Sequence, residues 1–222
     1  MPNLAVPSAP PDDPARIVLQ SGTRLSRVHA VRFSAGEFNP TLADAHWGGG
    51  RFDATEADRY PHLYAGSDDE CAVCEALLRD LPLDERGGRF LLRRAVDDHA
   101  LSRLTVTYNM DLVSLCTGDD LARIGQGDSW LISCPSAEYG FTRRWAHAIR
   151  AWAPWSEGFV WPSRRDLSKN AYVFFGDRLR GKLEEAQTTD NPSSGRGLRF
   201  DSALGEQLLL AILAKYRVTL GP

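Results

Sequence analysis

Glu75 is the residue whose position says most about chemistry. On a helical wheel through Cys71-Ala72-Val73-Cys74-Glu75-Ala76-Leu77-Leu78 it falls beside Cys71 and Leu78, at the edge of an apolar face. A carboxylate there is paired, kept neutral or turned toward a pocket, because an unpaired charge among apolar groups is costly. A salt bridge at the core margin is the plain alternative. Arg51 follows Gly48-Gly49-Gly50. Backbone N–H groups of such a run can converge on one spot, and the adjacent guanidinium can clamp a phosphate; an ordinary turn followed by arginine is the alternative. The run lacks the G-x-x-x-x-G-K-[ST] and G-x-G-x-x-G patterns, which sets aside the P-loop and Rossmann readings. Arg27, in Leu25-Ser26-Arg27-Val28-His29, sits on an expected strand, facing either a cleft or solvent. Ser163 follows Trp161-Pro162 with no G-x-S-x-G elbow around it, so a turn cap is expected there and not a hydrolase nucleophile. Cys71 and Cys74 form a C-x-x-C inside the helix, away from the N-terminus that favours a thiolate, and no second pair completes a zinc site. Both are expected to be packing residues. The histidines show no ligand spacing, and no metal is expected.

These residues need elements to position them. Ile17 to Val31 reads as a strand or two, and Pro61 to Ala65 as a short strand. Ser67 and Glu70 form an S-x-x-E capping box for a helix carrying Glu75, which Pro82 ends. Arg103–Tyr108 alternates as a strand, and Met110–Cys116 is a second apolar segment. Thr117–Ile124 is expected as a helical turn. Thr142–Trp152 is expected as a helix with Trp145, Ala148, Ile149 and Trp152 on one face. Gly158–Pro162 and Ala171–Phe175 read as strands around a polar turn, 187–197 as a polar loop, and Ser202–Arg217 as a C-terminal helix. Strands spread through the chain with few βαβ signals indicate an α+β fold with an antiparallel-leaning sheet.

The 222 residues are 43% apolar and 25% charged, enough for one sizeable core. One domain over 16–222 is expected, behind a disordered Pro- and Asp-rich tail, 1–15. The net charge of -3 supplies no dominant positive field for nucleic acid or membrane. Basic residues are nearly all Arg, Lys169, Lys182 and Lys215 being the exceptions, and the Arg fork suits phosphate and carboxylate. With no signal-like start, no apolar run of membrane length and four scattered cysteines, a reduced, cytoplasmic protein is expected.

In order along the chain, Arg27-Val28, Asn39-Pro40, Gly49-Gly50-Arg51-Phe52, Leu63-Tyr64-Ala65, Ala72 and Glu75 resemble the N-terminal half of the RES domain. Arg144-Trp145-Ala146, Gly158-Phe159-Val160-Trp161-Pro162-Ser163-Arg164, Asn170 and Val173-Phe174-Phe175 continue the likeness, which covers roughly 23 to 180. The resemblance implies an ADP-ribosyltransferase-like split β core with flanking helices and an NAD+ cleft. It implies cleavage of the nicotinamide–ribose bond of NAD+, by water or with inorganic phosphate as co-substrate, without a cofactor. It also implies neutralisation by an Xre-type antitoxin, with a homo-oligomer or a hetero-oligomer with that antitoxin left open. Carried over residue by residue, Glu75, Arg27 and Ser163 are the expected catalytic residues, and Arg27, Arg51, Tyr64, Gly49 and Gly50 the expected NAD+ contacts. Tyr64 would offer nicotinamide an aromatic face and its hydroxyl to a ribose or phosphate oxygen. Ser163 would bond the nicotinamide amide or position the nucleophile. Many relatives carry an aromatic where this chain has Val28, and the stretch from Pro82 to Tyr108 matches poorly. ADP-ribosyl transfer to a macromolecule, or a non-catalytic nucleotide- or protein-binding module, are the alternatives.

Overall fold

The computed structural model describes residues 2–181, 183–186 and 197–222. Its strands are β1 (Arg16–Leu19), β2 (Arg24–Ala30), β3 (His62–Gly66), β4 (Arg89–Leu91), β5 (His99–Val106), β6 (Met110–Ser114), β7 (Gly158–Pro162), β8 (Asn170–Phe175), β9 (Leu183–Glu185), β10 (Leu198–Arg199) and β11 (Val218–Leu220). The helices are α1 (Asp69–Val73), α2 (Gly118–Arg123), α3 (Trp130–Ser133), α4 (Tyr139–Trp152) and α5 (Ala203–Lys215). The main sheet runs β1-β6-β7-β8-β3-β2-β5-β10, with β9 also on β5. It is antiparallel except for the β6–β7 pair. The fold is thus α+β, a mostly antiparallel sheet flanked by helices.

Alternation along the central strands supplies both faces of the sheet. Val113, Phe159, Trp161, Val173 and Phe175 pack on one side with Trp145 and Ile149 of α4. Leu112, Val160 and Phe174 pack in a second cluster with Leu25, Leu63 and Leu104. A third cluster joins Leu101 of β5 to Ala72, Val73 and Leu78 and to Leu209, Ile212 and Leu213 of α5.

The sheet has a seam. β2 and β3 are joined through a single residue pair, Ser26 with Gly66. Continuing that register would set Val28 opposite Tyr64, but the strands part, and Asn39 pairs with His62 on the β3 side instead. The expected split core is this opening. α1 lies against β2 and β3 at the joined end. Gly66 makes that approach possible, since a Cβ there would stand 2.5 Å from the backbone nitrogen of Ala72.

Several expectations shift locally. The helix after β3 is capped by Asp68, whose side chain accepts from Cys71 N; Ser67 Oγ instead accepts from Asn170 N. The Ser67–Glu70 capping box is therefore corrected to an Asp68 cap. The helix also stops being α-helical at Val73 and continues as a π-helical turn over Cys74–Leu78, well short of Pro82. The poorly matched stretch after Pro82 holds β4, which pairs in parallel with the C-terminal β11. Residues 2–15, read as a tail, carry no helix or strand; along them Asn3 bonds Gly125 and Gln126, and Asp12 bonds Arg123. The polar stretch 187–197 lies outside the described residues except for Gly197. Cys71 and Cys74 are buried, and burial pushes their thiols up to about 12 and about 11, which suits packing residues.

His29 on β2 is 5% exposed and bonds Ser102 Oγ through Nε2. Burial lowers its pKa from 6.5 to about 4, so the folded ring is neutral where the unfolded one takes up a proton. Its contribution is full above pH 6.5 and is lost as the pH falls toward 4. Linkage puts the loss at about 2 kcal/mol between pH 7 and pH 5. Denaturant titrations at the two pH values test this; equal stabilities would contradict a neutral buried His29.

Candidate active site

The seam opens into a cavity of about 450 Å3. Val28 comes from β2, Tyr64 and Ala65 from β3, Trp161 from β7, Gly49 and Gly50 from the glycine loop, and Ala72, Glu75 and Arg79 from the helix that closes the cavity. A second cavity of about 200 Å3 shares Val28, Asn39, His62, Tyr64, Ala76 and His99 with it and is also lined by Arg27 and Phe33. The two form one cleft along the seam.

Glu75 stands in the π-helical turn. The wider turn changes which residues align along the face, and such turns recur at functional sites. Ser163 Oγ donates to Glu75 Oε1 at 2.7 Å, and Arg164 N donates to the same oxygen at 3.0 Å. Among the described residues no hydrogen bond falls on Oε2. The carboxylate is therefore fixed by one oxygen in a cavity wall. Ser163 is fully buried behind it, with its backbone N–H on Lys169 O. Ser163, expected to bond the nicotinamide amide or to position the nucleophile, here gives its hydroxyl proton to Glu75 and orients that carboxylate.

The glycine loop also differs from expectation. The anion it approaches is a side chain of the chain itself. Gly50 N donates to Asp53 Oδ2 at 2.6 Å, and a Cβ on Gly50 would lie 2.5 Å from Asp53 Oδ1 and 2.9 Å from the Tyr64 hydroxyl. Gly49 takes φ +69°, with a Cβ position 2.7 Å from Ala43 Cβ. Gly49 is favoured by its positive φ and close approach, and a side chain at Gly50 would displace the Asp53 carboxylate and the Tyr64 hydroxyl. Both still line the cavity.

Tyr64 OH donates to Asp53 Oδ1 at 2.8 Å and accepts from Phe52 N at 2.9 Å. Burial, together with the Asp53 carboxylate, raises the phenol well above its ordinary pKa. The hydroxyl expected to meet a ribose or phosphate oxygen is thus spent inside the protein, and the ring is what Tyr64 brings to the cavity. His62 Nε2 stands 3.3 Å from Asp53 Oδ1, and burial lowers its pKa despite Asp53. Asp53 thereby ties the glycine loop, Tyr64 and His62 together.

Arg51 is the largest departure. It is 1% exposed and lines neither cavity of the cleft. Its guanidinium donates to Leu131 O (2.9 Å), Cys134 Sγ (3.1 Å), Cys134 O (3.2 Å) and Tyr139 OH (3.3 Å), and lies 4.8 Å from the Tyr139 ring centre. It holds α3 and the start of α4 to the glycine loop, where a phosphate clamp was expected. Arg27 lines the second cavity, with Nη1 on Ala35 O and Glu37 O at 2.7 Å each. Burial, opposed by Glu37, lowers its pKa to about 10, and it stays charged at neutral pH.

Among the described residues the arginine that lines the Glu75 cavity is Arg79, four residues after Glu75, with its guanidinium 4.9 Å from the Tyr139 ring centre. Sequence reasoning missed Arg79 and Asp53. The i, i+4 spacing from Glu75 was the available signal for the first; nothing in the pattern marked the second. Among the described residues no cluster of His, Cys, Asp and Glu could hold a metal ion, and no helix is long and apolar enough to cross a membrane.

A family model described as the RES domain matches residues 24–203. Among solved structures, the crystal structure of the M. tuberculosis MbcT-MbcA toxin-antitoxin complex contains a chain of similar fold, with a TM-score of 0.50 and 16% sequence identity over 77% of this chain and 84% of that one. Comparison with curated protein sequences gives no match.

Proposed function

The chain belongs to the RES-domain family, and on that premise we propose that it cleaves the nicotinamide–ribose bond of NAD+. The observation that carries this reading is Glu75, held by Ser163 and Arg164 through one oxygen in the wall of the seam cavity. In NAD+ the leaving group is a cationic pyridinium. As the C–N bond breaks, its electron pair neutralises nicotinamide and positive charge develops on the ribose, as in glycoside cleavage. A carboxylate fixed beside that ribose stabilises the charge as it forms. Tyr64 and Trp161 supply aromatic walls for the nicotinamide ring. Arg79 in this cavity and Arg27 in the adjoining one supply positive charge for the pyrophosphate. Water attacking the ribose C1 then gives ADP-ribose and a proton. Inorganic phosphate gives ADP-ribose phosphorylated at that carbon.

NAD+ consumption is harmful to the cell that makes the enzyme. A toxin-like role, in the cytoplasm where NAD+ is held and under restraint by an Xre-type antitoxin protein, follows from the reading. The similar chain in a toxin-antitoxin complex supports an antitoxin partner.

The test is nicotinamide release from NAD+ by the purified chain, with and without inorganic phosphate. Release establishes the reaction, and its phosphate dependence names the acceptor. A folded, partner-free sample that releases none overturns the reading. Ser163→Ala removes one hydrogen bond to a charged group, which lowers turnover roughly tenfold to a hundredfold with little change in KM. Turnover at the wild-type level in Ser163→Ala would remove it from the site.

A further inference from the structure

On the NAD+ reading the Glu75 cavity takes the reacting half of a dinucleotide, which leaves the second ring system to be placed. Trp47 lies beside the glycine loop that lines this cavity. Its side chain is 75% exposed, whereas Trp130, Trp145 and Trp161 are buried and Trp152 and Trp155 partly so. An exposed indole adds nothing to the core, and its backbone is held firmly all the same. Asp44 Oδ1 accepts from His46 N at 2.8 Å and from Trp47 N at 3.0 Å. Arg143 Nη1 donates to Gly48 O at 2.7 Å and Gly50 O at 3.2 Å. Gly140 on α4 lets the loop close in, its Cβ position being 2.9 Å from Ala45 O. The result is an aromatic face in solvent on a fixed backbone. It lies two residues before Gly49, which lines the Glu75 cavity, so the two Cα atoms are within about 7 Å.

Resting on the NAD+ reading, we infer that Trp47 is the stacking platform for the adenine ring at the rim of the cleft. A flat, uncharged purine gains from an indole face without any directional hydrogen bond, and a fixed backbone limits the entropy lost on binding. The inner cavity holds the pyridinium between its own aromatic walls, so the purine is the ring left to reach Trp47. The rival place for it is the second cavity, where Phe33 is the aromatic lining residue.

Steady-state nicotinamide release from NAD+ and from nicotinamide mononucleotide, which lacks the adenylate, separates these outcomes in the full chain. Trp47→Ala raises KM for NAD+ about tenfold, in line with the loss of one stacked base. The change falls on KM and not on kcat, Trp47→Phe restores most of it, and the mononucleotide does not register it. An unchanged KM for NAD+ in Trp47→Ala, an equal change with the mononucleotide, or a KM rise found in Phe33→Ala instead, overturns the inference. If the wild type releases no nicotinamide, the cleavage reading falls by itself, and calorimetric titration with ADP-ribose decides the subsite. Weaker binding to Trp47→Ala upholds the stacking platform, and equal binding removes it.

Discussion

Glu75→Gln is expected to lower NAD+ turnover by about 100- to 1,000-fold with NAD+ still bound. The substitution is nearly isosteric. The amide oxygen of Gln still accepts from Ser163 Oγ and Arg164 N, the two donors that fix Glu75, so the cavity wall keeps its shape and only the negative charge goes. That charge matters most when the ribose turns cationic, and the loss therefore falls on kcat. Steady-state kinetics paired with calorimetric binding of NAD+ separates the two quantities. Near-normal kcat would mean that Glu75 is a structural carboxylate, and the chemistry would have to be sought elsewhere in the cleft. Loss of binding with loss of turnover would mean that the substitution had disturbed the cavity itself.

Arg51→Ala is expected to destabilise the protein by about 3–5 kcal/mol, through unsatisfied buried acceptors and a void. Arg51 fills one of the largest fully buried side-chain volumes in the molecule. Its removal strands Leu131 O and Cys134 O, and takes a donor from Tyr139. For a chain of this size the midpoint of thermal unfolding should drop by roughly 10 °C. Arg51→Lys should recover only part, since an ammonium cannot present the planar fork that spans these acceptors. Thermal and denaturant unfolding of both variants test the assignment. A variant of wild-type stability that had lost NAD+ affinity would restore Arg51 to the substrate site.

Both expectations concern residues that stand out in the sequence, and the structure treats them differently. Glu75 was legible because a carboxylate at the edge of an apolar helix face is a local anomaly, visible in the order of residues. The same holds for most elements. β2, β3, β7, β8 and α4 follow from alternation or helical spacing, since side-chain direction within a regular element is set by its own backbone. The RES likeness, resting on the order of short motifs, was equally available, and the family match over 24–203 bears it out.

What the sequence could not decide is where a side chain turns when its partners are distant. The glycine run and Arg51 marked a place of close backbone approach, which is what Gly49 and Gly50 provide, but the anion is Asp53 and the guanidinium lies in the core. Ser163 meets Glu75 across 88 positions, a distance only the folded sheet closes. The π-helical turn is invisible to a 3.6-residue period. The β4–β11 pair joins a three-residue strand from the middle of the chain to another near its C-terminus, each too short to register alone. The sequence by itself determined the longer elements and the family, and it singled out Glu75 as a candidate, because these depend on local periodicity and motif order. The tertiary structure decided which arginine enters the cleft, what holds Glu75 and where the sheet parts, because each of those is a choice among partners far apart in the chain.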